Sequence, residues 1–241
     1  MSRIQYYDYN EKGCDYICSD IHGHFYLLDE KLAEVNFNKS VDRLFCLGDL
    51  IDRSDDSHLA LDYLKEPWFY SIVGNHEIML IDVCESGNTD IKQQWYFWGG
   101  NWAEDLSDEE IDKYYQVFTR LPIAIELKLK SGKKIGLVHA SLPDIADWLE
   151  VKKALESLSN REVNSFAPLL RDMIWDKAPV YDNYSINLEE VKNIDHVFHG
   201  HTIVKDIIVL ENRTFMDLGS YNNMKLGFIQ PDEYLESGAI D

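Results

Sequence analysis

Apolar positions along the first eighty residues follow two periods in turn. "DYICSD" (15–20), "RLFCLGD" (43–49) and "WFYSIVGN" (68–75) are short strand-like runs. Between and after them, "HFYLLDEKLAEVNF" repeats its apolar residues at helical spacing. Leu59, Leu61 and Leu64 suggest a second, shorter helix, and "HEIMLIDVCE" a third. Strands and helices in alternation predict an α/β fold with an at least partly parallel sheet.

From Thr89 to Arg120 the pattern changes. "QQWYFWGGNW" is aromatic, and "SDEEIDKYYQVFTRL" is acidic and amphipathic, with Ser107 and Glu110 spaced as a capping box, so a helical insertion is expected over about 89–120. "PIAIELKLK" and "IGLVHA" flank "SGKK" and predict a hairpin around Ser131-Gly132. Helix-like sequence then runs from Pro143 to about Arg161, with a less regular stretch to Pro179. A last strand group follows in "HVFHGH", "VKDIIVL", "RTFMDLGS" and "LGFIQ", and the tail after Pro231 is expected to be loose. With no repeat and no linker-like boundary, residues 1–241 are expected to form a single domain.

Composition narrows the function more than the fold. At 241 residues and 45% hydrophobic content the chain can bury a sizeable core. Its apolar runs fall short of the ~20 residues of a membrane span, and its start lacks a basic, apolar leader. A cytoplasmic protein without a membrane partner is the expectation. Acidic residues number 43 against 23 basic ones, a net charge of −20, which repels nucleic acid but suits metal cations. Of the cysteines Cys14, Cys18, Cys46 and Cys84, none forms a C-x-x-C pair. A cysteine-nucleophile phosphatase would need Arg six positions later, where this chain has Asp20, His24, Asp52 and Asp90, so the thiols read as reduced and structural.

The chemistry gathers where strand-like runs end. They terminate in Asp20 and His22, in Asp49, in Asn75 and His76, in His139 and in His201. In α/β sheets such ends converge on one crevice. Oxygen and imidazole donors suit divalent manganese, iron or zinc, and a carboxylate such as Asp49 can bridge two ions. Two ions can polarise a phosphoryl group and generate hydroxide at neutral pH. Taken singly, Asp20, His22 and Asp49 could be turn caps, His139 a satisfied core residue, and Asp52 with Arg53 a local ion pair. The constellation outweighs its members.

"DIHG", "GDLIDR", "GNHE", "VHA" and "GHT" resemble the signature blocks of the calcineurin-like metallophosphoesterases, closest to the small bacterial and lambdoid-phage serine/threonine protein phosphatases. The likeness runs from about Tyr16 to Ser220, with "PWFYSIVGNHEIMLID" and "MIWDK" among its features. It implies a sandwich of two mixed β-sheets flanked by helices. It also implies two divalent ions, usually manganese, one held by Asp20, His22 and Asp49 and the other by Asp49, Asn75, His139 and His201. Arg53, Asn75 and Lys177 would bind substrate. His76 paired with Asp52 would be the general acid, and a metal-activated hydroxide would attack without a phosphoenzyme intermediate. Phosphoserine and phosphothreonine proteins are the implied substrates.

Three departures stand out. Ser19 and Ser54 occupy positions where the family commonly has Gly, and Lys177 stands where the phage-type members tend to have Arg. A left-handed backbone at 54 would strain Ser, and Lys177 would bind phosphate more weakly than a guanidinium fork. His199 is expected to orient a metal ligand, His24 and His58 to be ordinary exposed or half-buried side chains, and Asp217 and Ser220 to form a turn. The cluster Trp95, Tyr96, Trp98 and Trp102 reads first as core, with a substrate-side wall as the other reading. The rival function is that of a nucleotide phosphohydrolase, foremost the symmetrical diadenosine polyphosphate hydrolases, which share the blocks but tend to have "GNHD" where this chain has Glu77. A catalytically silent metal-stabilised binding protein is the remaining alternative. It would be expected to have lost a ligand or His76, and none is missing.

Overall fold

The structure, a computed structural model, describes residues 2–143, 146–158, 168–177 and 188–237. Its strands are β1 (Ile4–Tyr7), β2 (Asp15–Cys18), β3 (Arg43–Cys46), β4 (Phe69–Ser71), β5 (Ala124–Lys128), β6 (Lys134–Val138), β7 (His196–His199), β8 (Ile208–Leu210), β9 (Arg213–Phe215) and β10 (Phe228–Ile229). They form two mixed sheets, ordered β1-β5-β6-β7-β9-β8 and β10-β2-β3-β4. In the smaller sheet β2, β3 and β4 are parallel, and in the larger β6, β7 and β9 are parallel.

Alternation along the strands builds two cores. Ile17, Phe45 and Ile72 of the smaller sheet pack with Ile125, Leu127, Ile135, Leu137 and Phe198 of the larger one. Their strand neighbours Tyr16, Cys18, Leu44 and Cys46 turn the other way, into a cluster with Leu28, Ile78 and Leu80 from the helices. Each such large side chain contributes ~1.5–3 kcal/mol by leaving water. The apolar runs of β2 and β3 are continuous because both faces are covered.

The helices are α1 (Phe25–Glu34), α2 (Ala60–Tyr63), α3 (Asn75–Ser86), α4 (Thr89–Phe97), α5 (Asp108–Phe118), α6 (Trp148–Ser157), α7 (Pro168–Trp175), α8 (Ser220–Asn223) and α9 (Pro231–Glu236). Two helices, α4 and α5, lie within residues 89–120, and Ser107 and Glu110 close the capping box of α5. The hairpin β5–β6 pairs antiparallel from Ala124↔Val138 to Lys128↔Lys134. Among the described residues no helix is long and apolar enough to cross a membrane.

Two expectations need correction. The stretch before Pro179 contains α7, whose Leu170, Met173 and Ile174 lie at helical spacing and are buried. The chain after Pro231 is not loose up to Ser237: Gln230 caps α9 by accepting the Glu233 N–H at 2.6 Å, Pro231 opens the helix, and Leu235 packs in the core between the sheets. Residues 144–145, 159–167, 178–179 and 238–241 of those segments lie outside the described residues.

Candidate metal centre

Parallel strands deliver their C-terminal ends to one side of a sheet, so the residues that follow them meet. Asp20 and His22 come after β2, Asp49 after β3, Asn75 and His76 at the start of α3 beyond β4, His139 after β6 and His201 after β7. A cavity of about 660 Å³ is lined by His22, Asp49, Arg53, Asn75, His76 and His201, with the exposed Lys177 also in its wall. Ligand atoms of His22, Asp49 and His76 lie within 4.8 Å of one another, as do those of Asp49, His139 and His201. Asp49 belongs to both groups.

The backbone is bent to achieve this. His22, Asp49, Asp52, Arg53 and His201 all have positive φ, from 48° to 73°. Such conformations cost non-glycine residues of order ~1–3 kcal/mol each and persist where the surroundings impose them. Glu77 is one such constraint. Its buried carboxylate accepts the N–H groups of Gly74 at 2.8 Å, Asp49 at 3.0 Å and Leu50 at 2.8 Å, tying the start of α3 to the loop after β3. A Cβ at Gly74 would lie 2.2 Å from Asp49 Oδ1, so only glycine allows this approach.

The donor set calls for cations. His22 Nδ1 faces the Ile51 carbonyl at 3.0 Å and His139 Nδ1 the Leu47 carbonyl at 2.7 Å. A carbonyl only accepts, so each Nδ1 carries the proton and each Nε2 presents a lone pair. Those lone pairs point at acceptors: His22 Nε2 is 3.6 Å from Asp49 Oδ2, and His139 Nε2 is 3.5 Å from Asp49 Oδ1 and 3.0 Å from Asn75 Oδ1. Burial holds both imidazoles below their ordinary value, and pushes His201 down to about 3. Burial also opposes a charge on Asp49, but the surrounding rings of His139, His76, His22 and His201 hold its carboxyl below the usual range. Burial first, then Asp217 and Asp49, push Asp20 well above it. Asp49 Oδ1 accepts the His76 backbone N–H at 3.0 Å, but the imidazole lone pairs and the oxygens of Asp49 and Asn75 otherwise face one another, an arrangement that fits divalent ions. Asp20 lies outside both groupings. Its two oxygens share the His201 N–H at 3.0 Å, which leaves part of a carboxylate's acceptor capacity open.

Beside this cluster His76 differs from the other imidazoles. Its Nδ1 donates to Asp52 Oδ2 at 2.6 Å. Burial works against a charge on His76, yet Asp49 and Asp52 together raise it above its ordinary value. Its Nε2 lies 3.5 Å from Arg53 Nη2, and the guanidinium stacks on Tyr221 at 4.1 Å. An imidazole whose charged form is favoured and a guanidinium thus share one patch of the cavity.

The ten residues singled out from the sequence all come together here, but several neighbours behave differently from expectation. Ser54 is extended (φ −148°) and unstrained, its Oγ accepting the Asp56 N–H; the left-handed residues are Asp52 and Arg53. Ser19 Oγ accepts the Gly227 N–H at 3.1 Å, which joins β2 to the turn before β10. His199 stacks on Phe215 at 4.8 Å and burial keeps it neutral. Asp217 lies in the cavity wall, where burial pushes its carboxyl up to about 7. Tyr221 was not singled out at all, and the role of Glu77 was legible only as a helix-start signal, Gly74-x-x-Glu77. Trp98 lines the cavity, whereas Trp95 and Trp102 bond to Asp52.

Comparison with known proteins shows the family. "Serine/threonine-protein phosphatase 2" of Escherichia coli (strain K12) is 30% identical over 216 residues, 88% of this chain and 90% of that one. "Bis(5'-nucleosyl)-tetraphosphatase, symmetrical" of Shewanella sp. (strain MR-7) is 27% identical over 73% of this chain and 63% of its own length. A solved protein serine/threonine phosphatase from Saccharomyces cerevisiae superposes with a TM-score of 0.63 at 14% identity, covering 91% of this chain and 72% of that one, which is a likeness of fold. Residues 16–205 match the calcineurin-like phosphoesterases, and the chain belongs to that family.

Proposed function

We propose that the protein is a metal-dependent phosphate monoester hydrolase acting on phosphoserine and phosphothreonine in proteins, with residues 1–241 working as one domain in the cytoplasm. The observation that carries this reading is the 2.6 Å bond between His76 Nδ1 and Asp52. A protein phosphomonoester expels a strongly basic alkoxide, which needs a proton. A polyphosphate anhydride expels a phosphate, which does not.

Asp20, His22 and Asp49 would hold one divalent ion and Asp49, Asn75, His139 and His201 a second, manganese first, with iron or zinc as alternatives. Bound there, the ions supply positive charge to the phosphoryl oxygens and lower the pKa of the attacking water. Arg53 binds the phosphate and is held in place by the face of Tyr221. As the water oxygen bonds to phosphorus, the bond to the seryl or threonyl oxygen breaks, and His76 gives that oxygen the proton on Nε2. Asp52 keeps the proton on Nδ1 and stabilises the charged ring.

Lys177 adds a second positive charge without a fork. Lys177→Arg should lower the KM for a phosphopeptide by about threefold to tenfold if two phosphate oxygens come within reach. No change there, together with no loss in Lys177→Ala, would remove this residue from the site.

The rival reading is symmetrical cleavage of diadenosine polyphosphates, which the Shewanella relative's name and the exposed indole of Trp98, a surface for stacking a purine, both favour. The test is a panel of phosphoserine and phosphothreonine peptides, diadenosine tetraphosphate and cyclic nucleotides, run with manganese and with chelator. Hydrolysis of the peptides that chelation abolishes and manganese restores is expected. Cleavage of diadenosine tetraphosphate with the peptides untouched would establish the rival.

A further inference from the structure

The segment 95–102, Trp-Tyr-Phe-Trp-Gly-Gly-Asn-Trp, has no part in the chemistry above, yet it is bonded to the residues that carry it. Trp95 Nε1 donates to Asp52 Oδ2 at 2.8 Å and Trp102 Nε1 donates to Asp52 Oδ1 at 2.7 Å. Asp52 Oδ2 is also the oxygen that accepts from His76 Nδ1. The carboxylate is fully buried, so its donors are protein groups held in fixed directions. One residue further on, the Arg53 N–H donates to the Gly99 carbonyl at 2.9 Å. Gly99 has φ 114°, and a Cβ there would lie 2.8 Å from Arg53 N. The segment therefore grips Asp52 and Arg53, two consecutive left-handed residues with φ 73° and 71°. Such a pair needs support from outside itself.

The grip is itself rigid. Trp95 and Trp102 meet edge to face at 6.5 Å, and Trp102 packs edge to face on Tyr114 of α5 at 5.2 Å. An indole has one donor, fixed in the ring plane. A carboxylate bonded to His76 alone could turn about its last torsion and swing the imidazole with it. With an indole on each oxygen that rotation costs a hydrogen bond at both ends.

We propose that Trp95 and Trp102 are positioning residues. Their two N–H groups brace the Asp52 carboxylate so that His76 Nε2 is aimed at the leaving oxygen, and Gly99 of the same segment sets Arg53. The proposal rests on the reading of His76 as proton donor. It assigns the insertion a role in the rate of the chemical step, distinct from core packing and from a substrate wall.

Trp102→Phe carries the test, because Trp102 is half-buried and Phe keeps the ring while removing the donor. The fully buried Trp95 is the riskier site, and Trp95→Phe is the second variant. Turnover of a phosphoserine peptide by the manganese-loaded protein should fall ~10-fold in Trp102→Phe, since small misalignments of a catalytic group cost factors of this order. p-Nitrophenyl phosphate should fall distinctly less, and KM for either substrate should stay near its starting value. As a readout independent of turnover, the indole N–H proton resonances of Trp95 and Trp102 should both move in Asp52→Asn. Equal losses on the two substrates in Trp102→Phe, or none, while His76→Asn still discriminates between them, would overturn the brace and leave the general acid standing. If His76→Asn itself fails to discriminate, the reading beneath the proposal falls, and the brace falls with it.

Discussion

His76→Asn should lose most of the ~10²–10⁴-fold that general acid catalysis is worth on phosphoserine peptides, and distinctly less on p-nitrophenyl phosphate, with both metal ions retained. The difference follows from the leaving group. A serine alkoxide must take a proton as the bond to phosphorus breaks, whereas p-nitrophenolate departs nearly unaided. His76 has a carboxylate on Nδ1 at 2.6 Å, a pKa raised above that of an ordinary imidazole, and an Nε2 3.5 Å from the Arg53 guanidinium proposed to bind phosphate. Asp52→Asn should show the same pattern more mildly, because the ring remains but loses its charge partner. Equal losses on both substrates, provided chemistry limits both rates, would mean that His76 positions water or phosphate.

Asp49→Asn should be the most damaging change among the proposed ligands, lowering metal content and turnover together. Asp49 alone belongs to both groups of converging ligand atoms. Groups that merely orient a metal ligand are typically worth ~10–100-fold in affinity, so a ligand shared by two ions should exceed that range. The neutral amide also removes the buried charge around which His22, His139 and His201 are arranged, so an intact fold with weakened metal binding is the expected result. His199→Asn is the control, since His199 stacks on Phe215 and is not among the proposed ligands. If it lowered metal content and turnover more than Asp49→Asn, the ligand assignment would be wrong.

Much of the site was legible because its residues follow strands whose apolar runs are short and continuous. β2, β3 and β4 each end within a few residues of Asp20, Asp49 or Asn75, and parallel pairing does the rest. What the sequence hid depends on contacts between distant segments. Backbone strain was expected at Ser54 by analogy with a family glycine, but it sits at Asp52 and Arg53, imposed in part by Gly99 forty-six residues after Arg53. By their rings alone the tryptophans read as core or wall. Trp95 and Trp102 matter for their single polar atoms, whose partner no local pattern announces. The C-terminal helix was readable and was missed: Pro231 followed by two acidic residues is a helix start. β1 was not marked either, although Ile4, Tyr6 and Tyr7 favour a strand.

Whether the converging acceptors form a two-ion site that drives phosphoester hydrolysis is decided by a calorimetric titration of the metal-free protein with manganese, with turnover of a phosphoserine peptide measured at each point. Two ions per chain and turnover rising with the second are predicted. Full turnover with a single ion bound, or turnover that persists in excess chelator, would contradict such a site.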